Sequence, residues 1–185
     1  MSVSFNGGKD CTVMLHLIHK VFSYHNKEKG AQINAVYVRE ENEFPEVVQF
    51  IEDCKFKYNL SLTILQGPLK SAFASYLGQN TSIKAVFVGV RRTDPNCENL
   101  SPCQDTNNGW PSFLRVHPIL DWNYSQIWEY INIHNVPYCP LYNHGYTSIG
   151  STTNTSPNPS LLSHNQYLPA SQLNDPSLER ASRIK

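Results

Sequence analysis

The stretch VSFNGGKD, residues 3–10, decides how the rest of the chain is read. A short strand-like run meets Asn6-Gly7-Gly8 and then Lys9-Asp10. Behind it, residues 9–25 place Val13, Met14, Leu17, Ile18 and Val21 on one helical face. In doubly wound sheets, ligands bind beyond the carboxyl ends of the strands, where such loops meet helix N-termini. Gly7 and Gly8 tolerate positive φ and turn backbone N–H groups toward an anion. The helix adds its positive end, and Asn6 and Lys9 supply side-chain donors. Asp10 suits a magnesium ion riding on phosphates, held directly or through water, better than it suits a phosphate. The spacing is neither Walker A, which ends in Lys-Ser/Thr, nor GxGxxG.

Helix and strand signals alternate along the first 135 residues. Strands are predicted over 33–38, 60–65, 84–90 and 113–120. Helices are predicted over 44–59 (with Pro45 near its first turn), 68–79 and 123–135. In the last helix Asn123 and Gln126 fit a capping box, and Tyr124, Ile127, Trp128 and Ile131 share a face. The alternation predicts an α/β fold with a doubly wound, mostly parallel sheet covered on both sides. From Tyr138 onward the composition shifts, and residues 150–177 are dominated by Ser, Asn, Thr and Pro. Composition alone predicts a flexible tail there.

A second polar loop comes after the strongest strand signal: VGVRRTDP, residues 88–95. It too should open at the carboxyl edge of the sheet. Gly89 permits close backbone approach, Arg91 and Arg92 offer planar donors for phosphate oxygens, and Asp94 is an acceptor.

At 185 residues the chain is long enough for one domain with a sizeable core. Fifteen Lys and Arg balance fifteen Asp and Glu, which argues against a general nucleic-acid or membrane-surface binder. No apolar run is long enough to cross a bilayer, and the N-terminus carries no secretory signal pattern. Cys11, Cys54, Cys97, Cys103 and Cys139 make an odd count without a CxxC pair. A reducing cytoplasmic compartment is the expectation, and no disulfide framework. His16 and His19 lack the cysteine partners a zinc site would need.

SFNGGKD resembles the PP-loop of the ATP-pyrophosphatase-like proteins. Together with GVRRTDP, GWPSFLRVHPILDW, IWEYI, VPYCPLYNHGYTSIGSTTNTSPNP and LERASRIK, it resembles the eukaryotic FAD synthases, FMN adenylyltransferases of the PAPS-reductase-like group. The resemblance implies the adenine nucleotide alpha hydrolase-like, PP-loop fold over residues 1–136, with a C-terminal extension over 137–185 that wraps the active site. It implies transfer of AMP from ATP to FMN with Mg²⁺, giving FAD and pyrophosphate. Ser4, Asn6, Gly7, Gly8, Lys9 and Asp10 would hold the ATP phosphates and the metal. Val36 and Val38 would border the adenine. Gly89, Arg91, Arg92 and Asp94 would line the reacting phosphates. Asn107 and Trp110 would form part of the flavin pocket, joined by Arg180 and Arg183. The expected partners are these small molecules, with no nucleic acid and no membrane.

The chain departs from the family at Asn107, where relatives commonly carry Asp. It also starts almost at the PP-loop, whereas relatives have a preceding helical segment and some animal ones a further domain. A fragment, a short isoform and a minimal form all fit. A PAPS-reductase-like thiol enzyme would share the fold but needs a nucleophilic cysteine in an ECG-type motif, which is missing. A tRNA-modifying pyrophosphatase would want a basic surface and CxxC pairs. A non-catalytic nucleotide- or flavin-binding module is the remaining alternative.

Overall fold

A computed structural model describes residues 1–26 and 30–183. Lys185, Ile184 and residues 27–29 lie outside the described residues. The elements are β1 (Ser2–Ser4), α1 (Lys9–His25), β2 (Ile33–Arg39), α2 (Pro45–Lys57), β3 (Leu60–Gln66) and α3 (Leu69–Gln79). They continue with β4 (Ala85–Val88), β5 (Cys103–Asp105), β6 (Leu114–Val116) and α4 (Tyr124–His134).

The six strands form one sheet in the order β3-β2-β1-β4-β6-β5. All neighbours are parallel except β5 with β6. β5 lies inside the region read from sequence as a long loop. Three residues without an apolar run give no periodic signal, and only the partner strand β6 makes them a strand. The strand expected over 113–120 ends at Val116, because Pro118 cannot donate to a ladder and the chain turns through Ile119 and Leu120. The helix caps match the local sequence. Pro45 opens α2 at its first positions, and Asn123 and Gln126 exchange hydrogen bonds of 2.9 Å each at the start of α4.

Strand order sets the location of the site. β1 to β2 to β3 winds one way, and α3 then carries the chain back across to β4 beside β1. The direction therefore reverses between β1 and β4, and the loops that leave these two strands diverge there. The faces differ. Val3, Ala35, Tyr37 and the apolar sides of α1, α2 and α4 form the larger core. Val36, Val86 and Phe113 pack with Phe73 and Tyr76 of α3 in the smaller one.

The segment after α4 is ordered onto the larger core, against the expectation from composition. It runs through 3-10 turns at Pro140–His144, Pro159–Leu161, Ala170–Gln172 and Pro176–Ser182, and a two-strand hairpin at 162–167. Leu161, Ala170 and Leu173 are buried in that core, and the Tyr124 hydroxyl donates to the Ala170 carbonyl at 2.6 Å. A few apolar anchors hold a polar segment whose Ser and Asn side chains satisfy its own backbone. No helix among the described residues is long and apolar enough to cross a membrane.

Candidate functional site

The site is built where the β1 and β4 loops part. At the end of β1 the chain turns through Gly7, whose φ of +74° is the left-handed conformation glycine tolerates best. Gly8, expected to share that freedom, has φ −66° and caps α1 from extended backbone. The Asn6 carboxamide oxygen accepts from the Gly8 N–H at 3.0 Å, which leaves the amide nitrogen as the free donor. Asn6, Gly7 and Gly8 line a cleft together with Tyr37 and Val38 at the end of β2. Ile149 and Gly150 of the C-terminal segment close its far side. Val36 does not line the cleft. It is buried beneath, and its carbonyl accepts from the Phe5 N–H at 3.0 Å. Ser4 ends β1 in register with Val36 and Val88.

Lys9 and Arg91 do not point into this cleft. Both are buried, at 2% and 1% exposure. The Lys9 ammonium lies 3.0 Å from Asp10 and pairs with Glu179, over the ring of Tyr124. Its backbone N–H donates to the Tyr142 hydroxyl at 2.9 Å. Arg91 Nε sits 2.9 Å from Asp10 Oδ1, and its Nη2 lies 2.7 Å from both carboxylate oxygens of Glu179. Asp94 accepts from the Arg91 backbone N–H at 2.8 Å and so pins the β4 loop. These five charges form one network.

The network explains its own protonation. Burial alone would lower the pKa of Lys9, but Asp10 and Glu179 outweigh it and hold the ammonium above its usual value. Arg91 is shifted the same way: burial opposes the charge, and Asp10 and Glu179 overcome it. Burial raises the Asp94 carboxyl despite Arg91 beside it. A buried ion network of this kind is costly to open by one member, because its partners are left charged without compensation.

Several sequence expectations change. Lys9 and Arg91 are neutralised by carboxylates and are not open phosphate ligands. Arg92 is a loop clasp: Nε lies 2.5 Å from Asp121, and Nη1 donates to the Leu100 carbonyl at 2.7 Å. Gly89 permits a close approach, but the backbone it meets is α1. A Cβ there would lie 2.9 Å from Cys11 Cα. Asp10, expected to serve magnesium, directs its two oxygens at Arg91 and Lys9. No three His, Cys, Asp or Glu side chains among the described residues form a metal cage. Both Asp10 oxygens are engaged by cations, and a magnesium ion carried on nucleotide phosphates would need only one or two protein carboxylates.

Asn107 and Trp110 do not line the cleft either. Their loop packs beside α3, where Trp110 meets Phe73 edge-on and Lys70 donates to the Asn108 carbonyl. Arg183 comes up against Gly150 of the cleft wall. A Cβ on Gly150 would fall onto its guanidinium. Burial, and then the charge of Arg180, lower its pKa, partly offset by the nearby Glu40 carboxylate. Among the described residues it forms no ion pair. Arg180 is exposed. A part-buried guanidinium against the wall of a cleft that also holds a glycine loop and a helix N-terminus can meet an anion, with Glu40 and Glu43 lining the same cleft. The residue that sequence reading missed is Glu179. It stands next to Arg180 in LERASRIK, but nothing local says that it turns inward to meet Lys9 and Arg91.

Burial works against activation of Cys11, Cys54, Cys97 and Cys139. Burial pushes Cys11 and Cys54 up to about 12 and Cys139 up to about 11, and it also raises Cys97. Such groups stay protonated at neutral pH and are poor nucleophiles.

The phosphoadenosine phosphosulfate reductase domain model matches residues 1–76 and 68–157. The chain is 40% identical over 188 residues to the probable FAD synthase of Schizosaccharomyces pombe, covering 99% of this chain and 71% of that one. It is 42% identical to the probable FAD synthase of Caenorhabditis briggsae, again over 99% of its own length but 36% of the relative's. It superposes on the crystal structure of Candida glabrata FMN adenylyltransferase, a complex with FMN and the ATP analogue AMPCPP. The TM-score is 0.91 at 31% identity, over 98% of this chain and 80% of that one.

Proposed function

The chain belongs to the phosphoadenosine phosphosulfate reductase domain family and, within it, to the FAD synthases, and on that basis we propose that it transfers the adenylyl group of ATP to FMN. The observation that carries this reading is the superposition, over nearly the whole chain, on an adenylyltransferase holding FMN and an ATP analogue. The site's own chemistry supports it. A phosphate oxygen of FMN attacks the α-phosphorus of ATP in line. The new P–O bond forms as the bond to the β-phosphate's bridging oxygen breaks, and the electron pair leaves on pyrophosphate. The attacking group is already an oxyanion, so the protein's work is to place two anions and offset their charge.

Four features do that work in the proposal. The N-terminus of α1 and the Gly7-Gly8 backbone face the nucleotide phosphates. Asn6 donates through its amide nitrogen. Val38 and Tyr37 border the adenine. Arg183 stabilises the charge shared between the two substrates. Asn107, Trp110 and Arg180 remain the proposed flavin contacts. Magnesium enters as the counter-ion of ATP and belongs to the substrate. The cytoplasm is the proposed compartment, supported by five free cysteines.

The test is incubation of the purified protein with MgATP and FMN, with FAD read by chromatography. FAD should appear from FMN and not from riboflavin, which lacks the attacking phosphate. Consumption of adenylyl sulfate with a thiol reductant, without FAD, would overturn the proposal.

A further inference from the structure

Glu179 touches no part of the cleft, yet it is the point where three distant pieces of chain are tied together. Its carboxylate holds Lys9 at the start of α1 and Arg91 of the β4 loop. Its own carbonyl accepts from the Thr147 hydroxyl at 2.6 Å. Asn158, fully buried, donates to the preceding Leu178 carbonyl at 2.8 Å and to Thr147 Oγ1 at 2.8 Å. The 3-10 turn Pro176–Ser182 is thereby fixed on both its side-chain and backbone sides.

Arg183 comes directly after this turn. Its N–H donates to the Arg180 carbonyl at 2.9 Å, its backbone bridges Thr155, and the Ser156 N–H donates to the Ser182 carbonyl at 2.9 Å. Its guanidinium then lies against Gly150 at the cleft. We propose that Glu179 is a positioning residue for the transfer reaction: clamped between Lys9 and Arg91, it sets where the C-terminal turn delivers Arg183. The inference rests on the functional reading above. Glu179 does not stand in for a substrate phosphate, because the two cations it holds are buried and do not line the cleft.

The experiment uses the full chain with Glu179→Gln, Glu179→Asp, Arg183→Ala and the double variant Glu179→Gln/Arg183→Ala. If Glu179 acts through Arg183, the two losses overlap. Glu179→Gln should lower kcat/KM by about tenfold, the scale of one charge-assisted hydrogen bond, chiefly through KM. The double variant should then be no worse than Arg183→Ala alone. Glu179→Asp, which keeps the charge on a shorter arm, should recover part of the loss. Amide hydrogen exchange, measured without substrates, should speed up at Ser156 and Arg183 in Glu179→Gln and less so in Glu179→Asp.

Losses that multiply independently, or exchange equal to that of the parent in both variants, would overturn the proposal. A lower KM for ATP in Glu179→Gln would overturn it too, since it would mean that the carboxylate competes with phosphate. If the parent chain makes no FAD, the functional reading fails by itself. The exchange measurement and calorimetric binding of MgATP to the same four variants then still decide the role of Glu179.

Discussion

Nη2 of Arg91 lies 2.7 Å from each carboxylate oxygen of Glu179, a contact between residues 88 apart in the chain. The pair closes the loop after β4 onto the 3-10 turn Pro176–Ser182, and Lys9 and Asp10 extend it to the first turn of α1. Cleft-lining groups and buried charged groups are thus separated. Asn6, Gly7 and Gly8 line the cleft and Arg183 lies against Gly150 of its wall, while the ion network beneath ties their segments together.

Arg91→Met should be a stability variant before it is a kinetic one. It leaves Glu179, Asp10 and Asp94 around a missing cation, and breaking a buried pair typically costs about 3–5 kcal/mol. Urea unfolding followed by circular dichroism should show a loss of that size. A midpoint unchanged from the parent would mean that Arg91 is free to serve phosphates after all.

Arg183→Ala should lose at least about tenfold in kcat/KM, because a charge-assisted hydrogen bond contributes about 1.5–3 kcal/mol and each decade is worth about 1.4. Arg180→Ala should lose less, since Arg180 is exposed. Equal losses in steady-state FAD formation would put both arginines on the substrates.

Gly150→Ala tests the same placement from the other side. A methyl group there must displace the Arg183 guanidinium, so activity should fall toward that of Arg183→Ala while the unfolding midpoint changes little. Gly89→Ala should behave differently. Its Cβ would press on α1 backbone at Cys11, and overpacking of that kind costs about 1–3 kcal/mol. Stability and turnover should drop together.

The buried thiols give a pH signature. Cys11 and Cys54 are pushed up to about 12 and Cys139 to about 11 by burial, while unfolded thiols ionise near about 8.5. Above that pH the unfolded chain loses protons that the folded chain keeps, so stability falls as pH rises toward 11–12. The urea midpoint should be lower at pH 10 than at pH 8, with a shallower decline when these three cysteines are alanine. Alkylation at pH 8 should reach exposed Cys103 and spare Cys11, Cys54 and Cys139 without loss of FAD formation. Loss of activity on labelling in a folded protein would restore a thiol chemistry.

The N-terminal turn, the parallel strands, the capped α4 and the family itself were legible from residues 3–10 and the runs downstream of them. The elements rest on local spacing: period 3.6 for helices, apolar runs for buried strands, glycine at a turn, Asn and Gln three apart at a cap; the family rests on the resemblance of the motifs taken together. Tertiary structure decided what local spacing and composition could not. β5 exists because β6 offers it an edge. The polar tail is ordered because Leu161, Ala170 and Leu173 find the core. Lys9 and Arg91, motif residues that look like phosphate ligands, turn inward because Asp10 and Glu179 are there to neutralise them. A side chain's type states which charge it carries, but which partner meets that charge is set by where the fold brings a residue from the far end of the chain.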